Sequence, residues 1–220
     1  MAKRKTLGPK IREKIQVMIL NGELPCGAKL VQQDLAAKFN VAQCVVREAL
    51  LELKSYGLVE AIHNHGMYVS DTSVTIIRQS FEVREMHEGM AARLCCRHIN
   101  RQQVRELREI AENIYIFFQK NKLNEMSLLD GEFHSRLLQI AGNKVLARLK
   151  ECYWGLGKVL RVNRNPGRVR DEHIGILNAI EEGNEEKAEK LMRQHIRAAG
   201  EEIEKLIQKG VFKPAWIIPG

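Results

Sequence analysis

Two short apolar runs, Leu58-Val59-Glu60-Ala61-Ile62 and Met67-Tyr68-Val69, flank the polar loop His63-Asn64-His65-Gly66, and after Asp71 no strand-like alternation returns. Apolar runs about a short glycine-containing loop form a β-hairpin, so the chain has one small hairpin in an otherwise helical fold. Its position constrains the fold further, because three helical stretches precede it. Residues 9–21 put Ile11, Ile15, Met18 and Ile19 on one face and stop at Asn21-Gly22, before the turn-forming run Leu24-Pro25-Cys26-Gly27. A second helix over about 31–39 turns Leu35, Ala36 and Phe39 inward, and Asn40 suits the turn that follows because asparagine tolerates left-handed backbone angles. A third, over about 42–56, buries Val46, Ala49, Leu50 and Leu53 and ends at Gly57. Helix, short helix, turn, helix and hairpin within roughly 70 residues is the layout of a winged helix-turn-helix, whose third helix enters the DNA major groove. A helical cap with an appended hairpin has the same order of elements, and the order alone leaves both open.

Residues 81–208 carry only helical periodicity. Candidate helices run over about 76–98, 101–121, 124–141, 144–163, 168–182 and 185–208, with breaks at Asn100, Asn121, Gly142-Asn143, Asn165-Pro166-Gly167 and Gly183-Asn184. The expected fold class is mainly α. An N-terminal winged helix-turn-helix with a β-hairpin wing covers 1–72, a linker 73–80, an all-helical domain 81–208 and an irregular tail 209–220. Hydrophobic residues at 45% argue against wholesale disorder, while aromatics at 5% and five prolines favour helices over a sandwich or barrel. The excess of 35 basic over 27 acidic residues, a net +8, suits a polyanionic partner without requiring one. Five cysteines, odd in number and without a CxxC pair, argue against a disulfide framework and for a reducing cytoplasm. No apolar run approaches a bilayer span, and no apolar signal core follows the basic N-terminus, so no membrane partner is expected.

Four polar residues stand where helices normally put aliphatic ones. Asp130 and His134 are four apart, one turn along a stripe that continues to Leu137, Leu138 and Ala141. His173 lies between Val169 and Ile176 on its helix, and His195 sits among Ala188, Met192, Ala198 and Ala199. Burying that polarity unpaired would cost several kcal/mol, so the groups are expected to share a partner. A divalent transition metal suits imidazole and carboxylate together: zinc first, with nickel, manganese or iron as alternatives. Four protein ligands leave two positions open on an octahedral ion, room for water or the carboxylate of a small acid. The alternative is that each histidine is singly hydrogen-bonded in the core.

Residue patterns in both halves resemble known families. Gly22-Glu23-Leu24-Pro25 with Gly27 and Leu30, then Asp34-Leu35-Ala36, Val41, Val46-Arg47-Glu48-Ala49-Leu50, Leu53, Gly57-Leu58-Val59 and Gly66 resemble the DNA-binding domain of the GntR family over about 8–71. Asp130-x-x-Phe133-His134-x-x-Leu137, Ala141-Gly142-Asn143, Glu172-His173-x-x-Ile176, Ala179-Ile180-x-x-Gly183-Asn184-x-x-x-Ala188 and His195-Ile196 are similar to the FCD effector domain of FadR-type GntR regulators, over about 80–206. The resemblance implies a cytoplasmic DNA-binding transcription regulator, a repressor by expectation and not an enzyme. It also implies a homodimer on a palindromic double-stranded operator, and metal ligation by Asp130, His134, His173 and His195 with a small organic acid bound beside the ion. Arg84 matches an arginine common in the first effector helix, where it would pair with an anionic ligand; a surface ion pair with Glu88 is the alternative. Lys158 to Arg170 holds five basic residues and no acidic one, and Arg161 is its candidate pocket residue, though solvated surface suits most of the set.

Relatives contact bases and phosphates through a serine-arginine-threonine run and an arginine on the second helix. Those positions here are Gln33, Ala42, Gln43 and Cys44, while Arg47 is retained. Glutamine can contact adenine bidentately where arginine favours guanine, so an operator different from the family's usual one is expected, with Gln43 as reader and Arg47 on base or phosphate. His65 and Gly66 at the wing tip would approach the minor groove, or form a plain exposed turn. Residues 1–72 carry ten basic and seven acidic side chains, a modest +3 that dimerisation doubles. Val31 stands where a helix N-cap serine is usual, which predicts a weaker start to the second helix. Two other functions fit the metal-ligand set: a regulator for which the metal itself is the signal, and a hydrolase using the same Asp/His site to activate water.

Overall fold

The computed structural model describes residues 7–20, 22–70, 74–150 and 165–209. Two compact units divide them, one made of the residues up to Ile77 together with those from Ile207 on, and the other running Arg78–Leu206.

The first unit is built from α1 (Leu7–Leu20), α2 (Gln32–Phe39), α3 (Gln43–Ser55), β1 (Val59–Ile62) and β2 (Gly66–Val69). α1 packs on α3, and Ile11, Ile15, Ile19, Val46, Leu50 and Leu53 are buried, as their helical spacing requires. Asn40 closes α2 in the left-handed region (φ 52, ψ 52), which turns the chain sharply into α3. Val31 occupies the N-cap of α2 in an extended conformation with no side-chain bond to the open backbone N–H groups, as its apolar side chain dictates. β1 and β2 pair antiparallel with Val59 opposite Val69 and Ile62 opposite Gly66. The segment before α2 joins this ladder: the Leu30 N–H donates to the Met67 carbonyl at 2.7 Å and the Gly27 N–H to that of Val69 at 3.0 Å. That pairing ties the wing to the base of the helix-turn-helix.

The second unit is helical throughout its described residues: α4 (Val74–His98), α5 (Arg101–Gln119), α6 (Leu123–Ile140), α7 (Lys144–Leu149), α8 (Pro166–Glu181) and α9 (Glu185–Gln208). α4 starts at Val74, so the stretch read from sequence as a linker over 73–80 is helical from that residue on. Three of the sequence breaks are N-caps. Asn100 forms a reciprocal capping box with Gln103, Asn143 accepts from the Val145 and Leu146 N–H groups, and Asn165 caps a helix whose first residue is Pro166. Of the helix expected over 144–163, Lys144–Leu149 is described; its remainder, with Arg161, lies outside the described residues, as do Cys152 and the tail from 210.

α4 and α9 run antiparallel, a register readable from side-chain pairs. Glu85 meets Arg197, Arg93 meets Glu189 and Arg97 meets Glu185. Gly200 permits the close approach at one end, since a Cβ there would lie 3.0 Å from the Phe81 side chain. α5 packs against both α6 and α8, burying Leu107, Ile114, Leu137 and Ile176. Into this apolar interior the same helices deliver histidines. Among the described residues, no helix is long and apolar enough to cross a membrane.

Candidate metal centre and DNA-reading face

Asp130 and His134 lie one turn apart on α6, His173 on α8 and His195 on α9. The three imidazoles are 1%, 0% and 4% exposed, as the apolar stripes around them required, whereas the Asp130 side chain keeps 38%. His195 Nε2 lies 3.3 Å from the Nε2 atoms of both His134 and His173. Asp130 Oδ1 is 4.0 Å from His134 Nε2 and 3.7 Å from His173 Nε2. One donor atom from each of the four falls within 4.8 Å of every other. Phe133 stacks on the His173 ring at 3.9 Å between centroids, which fixes that ring's plane.

Two carboxylates sit behind the histidines. Glu88 of α4 places Oε2 2.5 Å from His134 Nδ1, and Glu172 of α8 places Oε2 2.7 Å from His195 Nδ1. An ionised carboxylate only accepts, so each contact suits the tautomer with its proton on Nδ1, in which Nε2 has a lone pair to offer a metal. Two lone pairs facing each other across 3.3 Å repel unless a cation lies between them. Two nitrogens on one zinc at bond lengths of about 2.0–2.1 Å and a tetrahedral angle are about 3.3–3.4 Å apart. The donor set and its spacing therefore fit a divalent transition ion.

Glu88 is ionised despite its burial. Desolvation alone would raise its pKa, but the Arg84 guanidinium and His134 more than offset it and hold the carboxyl well below its usual range. Arg84 pairs with Glu88 as the alternative sequence reading had it, yet not on the surface: the two side chains are 13% and 2% exposed. Arg84 thus backs the centre through Glu88. Neither Glu88 nor Glu172 was singled out as a site residue from sequence. The available signal was an arginine four residues before each, Arg84 and Arg168, the spacing of a helical ion pair.

In the first unit the expected reading residues are all on the outside. Gln33 on α2, Gln43, Cys44 and Arg47 on α3, and His65 and Gly66 at the hairpin turn are exposed. Gln43 and Cys44 open α3 directly after Ala42, which caps it without a side-chain bond, so both side chains lie on the first turn of the helix. Among the described residues Arg47 has no ion-pair partner.

The family model of bacterial regulatory proteins of the gntR family matches residues 7–69, and that of the FCD domain matches residues 79–198, more than half of the chain. The chain belongs to the GntR family, in its branch with an FCD domain. GntR regulators similar to it include the HTH-type transcriptional regulator LutR of Bacillus subtilis, 29% identical over 212 residues that cover 81% of this chain and 93% of that one. The HTH-type transcriptional repressor RspR of Escherichia coli is 24% identical over 197 residues, covering 83% and 82%. The probable D-xylose utilization operon transcriptional repressor of Paenarthrobacter nicotinovorans is 27% identical over 208 residues, covering 89% and 88%. The structure of Escherichia coli McbR/YncC shares the fold, with a TM-score of 0.71 over 93% of this chain and 99% of that one at 20% identity. The relatives are transcription regulators, not enzymes, and so is this GntR protein; that sets aside the hydrolase alternative for the Asp/His site.

Proposed function

We propose that this GntR regulator is a repressor whose operator binding is set by a small carboxylate bound beside a divalent metal, zinc first among the candidates, on Asp130, His134, His173 and His195. The observation that carries the reading is the meeting of three buried Nε2 atoms, two pairs of them at 3.3 Å, with a carboxylate oxygen on their open side. Bound there, the ion supplies a Lewis-acidic anchor for an acid's carboxylate. The partial exposure of Asp130 supports entry from that side. Arg161 is carried as a contact to the acid on sequence grounds alone.

The DNA half of the proposal is a homodimer on a palindromic operator, because a two-fold protein matches two half-sites. Gln43 reads a base edge, Arg47 contacts base or phosphate, and Gln33, Cys44 and the His65-Gly66 wing tip line the approach. Effector binding changes the relative placement of the two reading heads and so the operator affinity.

Selecting bound duplexes from a random pool gives the operator. Affinity for it is then measured by fluorescence anisotropy with zinc alone, small carboxylic acids alone, and both together. We expect the acid to shift affinity only when zinc is present. A shift on zinc alone makes the ion the signal. No response to any combination, with wild-type protein that holds no divalent ion, defeats the reading.

A further inference from the structure

Two arginine–glutamate–histidine relays of the same design approach the candidate metal centre from different helices. On α4, Arg84 pairs with Glu88 one turn later, and the other carboxylate oxygen of Glu88 meets His134 Nδ1 at 2.5 Å. On α8, Arg168 pairs with Glu172 one turn later through Oε1 at 2.9 Å, while Oε2 of Glu172 meets His195 Nδ1 at 2.7 Å. In each relay the carboxylate is divided, one oxygen to the arginine and one to the imidazole, so the arginine fixes the carboxylate and the carboxylate fixes the ring.

We infer that Glu88 and Glu172 are positioning residues for the metal centre, each holding one histidine with Nε2 turned toward the ion, and that they differ in what else depends on them. The inference rests on the metal reading above. An acceptor on Nδ1 selects the tautomer whose Nε2 is free to ligate, orients the ring, and raises its basicity as a ligand. The third imidazole, His173, is held by other means, through its stacking on Phe133.

The surroundings separate the two. Glu88 is sealed, its side chain 2% exposed and that of Arg84 13%. Removing the charge of Glu88 leaves a guanidinium inside the unit facing a neutral group, so fold and centre suffer together. Glu172 is 23% exposed and Arg168 66%. Together with Asn165, Asp171, Gln194 and His195 they line an open groove of about 800 Å3. Water there can replace whatever the charge of Glu172 contributes to folding, so the fold does not depend on it. What water cannot replace is a fixed acceptor that orients His195. The outer relay therefore serves the ion and not the fold, and it is the one that solutes in the groove can reach.

The test uses full-length protein, stripped and reloaded with zinc against a chromophoric chelator. Glu172→Gln is expected to weaken zinc binding about 10–100-fold while leaving the melting temperature of the metal-free protein unchanged. Glu88→Gln should weaken zinc binding to a similar degree and also lower that melting temperature. A second readout needs no metal: in nitrogen-15 spectra of the stripped wild type, the His134 and His195 rings should carry the proton on Nδ1, and Glu172→Ala should release His195 alone. Tight zinc binding by the wild type with unchanged affinity in both variants overturns the inference and leaves the metal reading standing. The Nε2-protonated form of His195 overturns it as well. A wild-type protein that binds no zinc takes down the metal reading first, and the inference with it.

Discussion

The two units solve opposite problems with the same kind of element. In the first, Gln16 is the one buried polar side chain among the described residues, and the residues that would read DNA, Gln43, Cys44 and Arg47, all face outward from an apolar core. In the second, His87, Glu88, His134, His173 and His195 are all buried, and the candidate centre occupies the core itself. An outward-facing functional residue can change without disturbing packing. An inward-facing one is part of the packing, so function and stability cannot be separated there unless, as at Glu172, the group reaches solvent.

The largest effect expected from this contrast is at the centre. Replacing His134, His173 or His195 by alanine should abolish tight divalent-metal binding and remove the rise in melting temperature that metal confers. With metal at a thousand times its dissociation constant that rise corresponds to about 4 kcal/mol. Calorimetry with and without a chelator checks it, and a wild-type melting temperature indifferent to chelation contradicts it. Arg47→Ala should show the reverse pattern. Operator affinity falls by about 1–3 kcal/mol while the melting temperature stays put, since Arg47 is exposed and outside the core. A destabilised Arg47→Ala protein would break the comparison. The smallest effect is at α2. Val31→Ser supplies the missing cap acceptor and should stabilise the first unit by about 0.5–2 kcal/mol, read by urea denaturation, with zinc affinity untouched.

Much of this was legible in the chain because the signals are local. The face of α3 is set by the helical spacing of Val46, Ala49, Leu50 and Leu53, and the break after α2 by the tolerance of Asn40 for a left-handed turn. The three metal-site histidines stood out because imidazoles interrupted apolar stripes. Less was visible where a residue acts through a partner far along the chain. The sequence offers Arg84 as a ligand contact or as a surface pair with Glu88; only the fold shows that the Glu88 side of that pair is enclosed, with Arg84 13% and Glu88 2% exposed. α4 starts at Val74, before the expected 76, although Asp71-Thr72-Ser73 ahead of it are residue types that favour a helix N-cap.

By itself, then, the sequence determined the elements and their inward faces: a helix-turn-helix with one hairpin, a run of amphipathic helices, and three histidines committed to the interior, with Asp130 one turn before the first of them. Periodicity and turn chemistry act within a few residues and need no knowledge of neighbours. Only the tertiary structure decided that His134, His173 and His195 meet at their Nε2 atoms, and that Glu88 and Glu172 stand behind two of them. Those contacts join residues 22 to 61 positions apart, and the packing of α4, α6, α8 and α9 sets them, which no pattern along a single helix encodes.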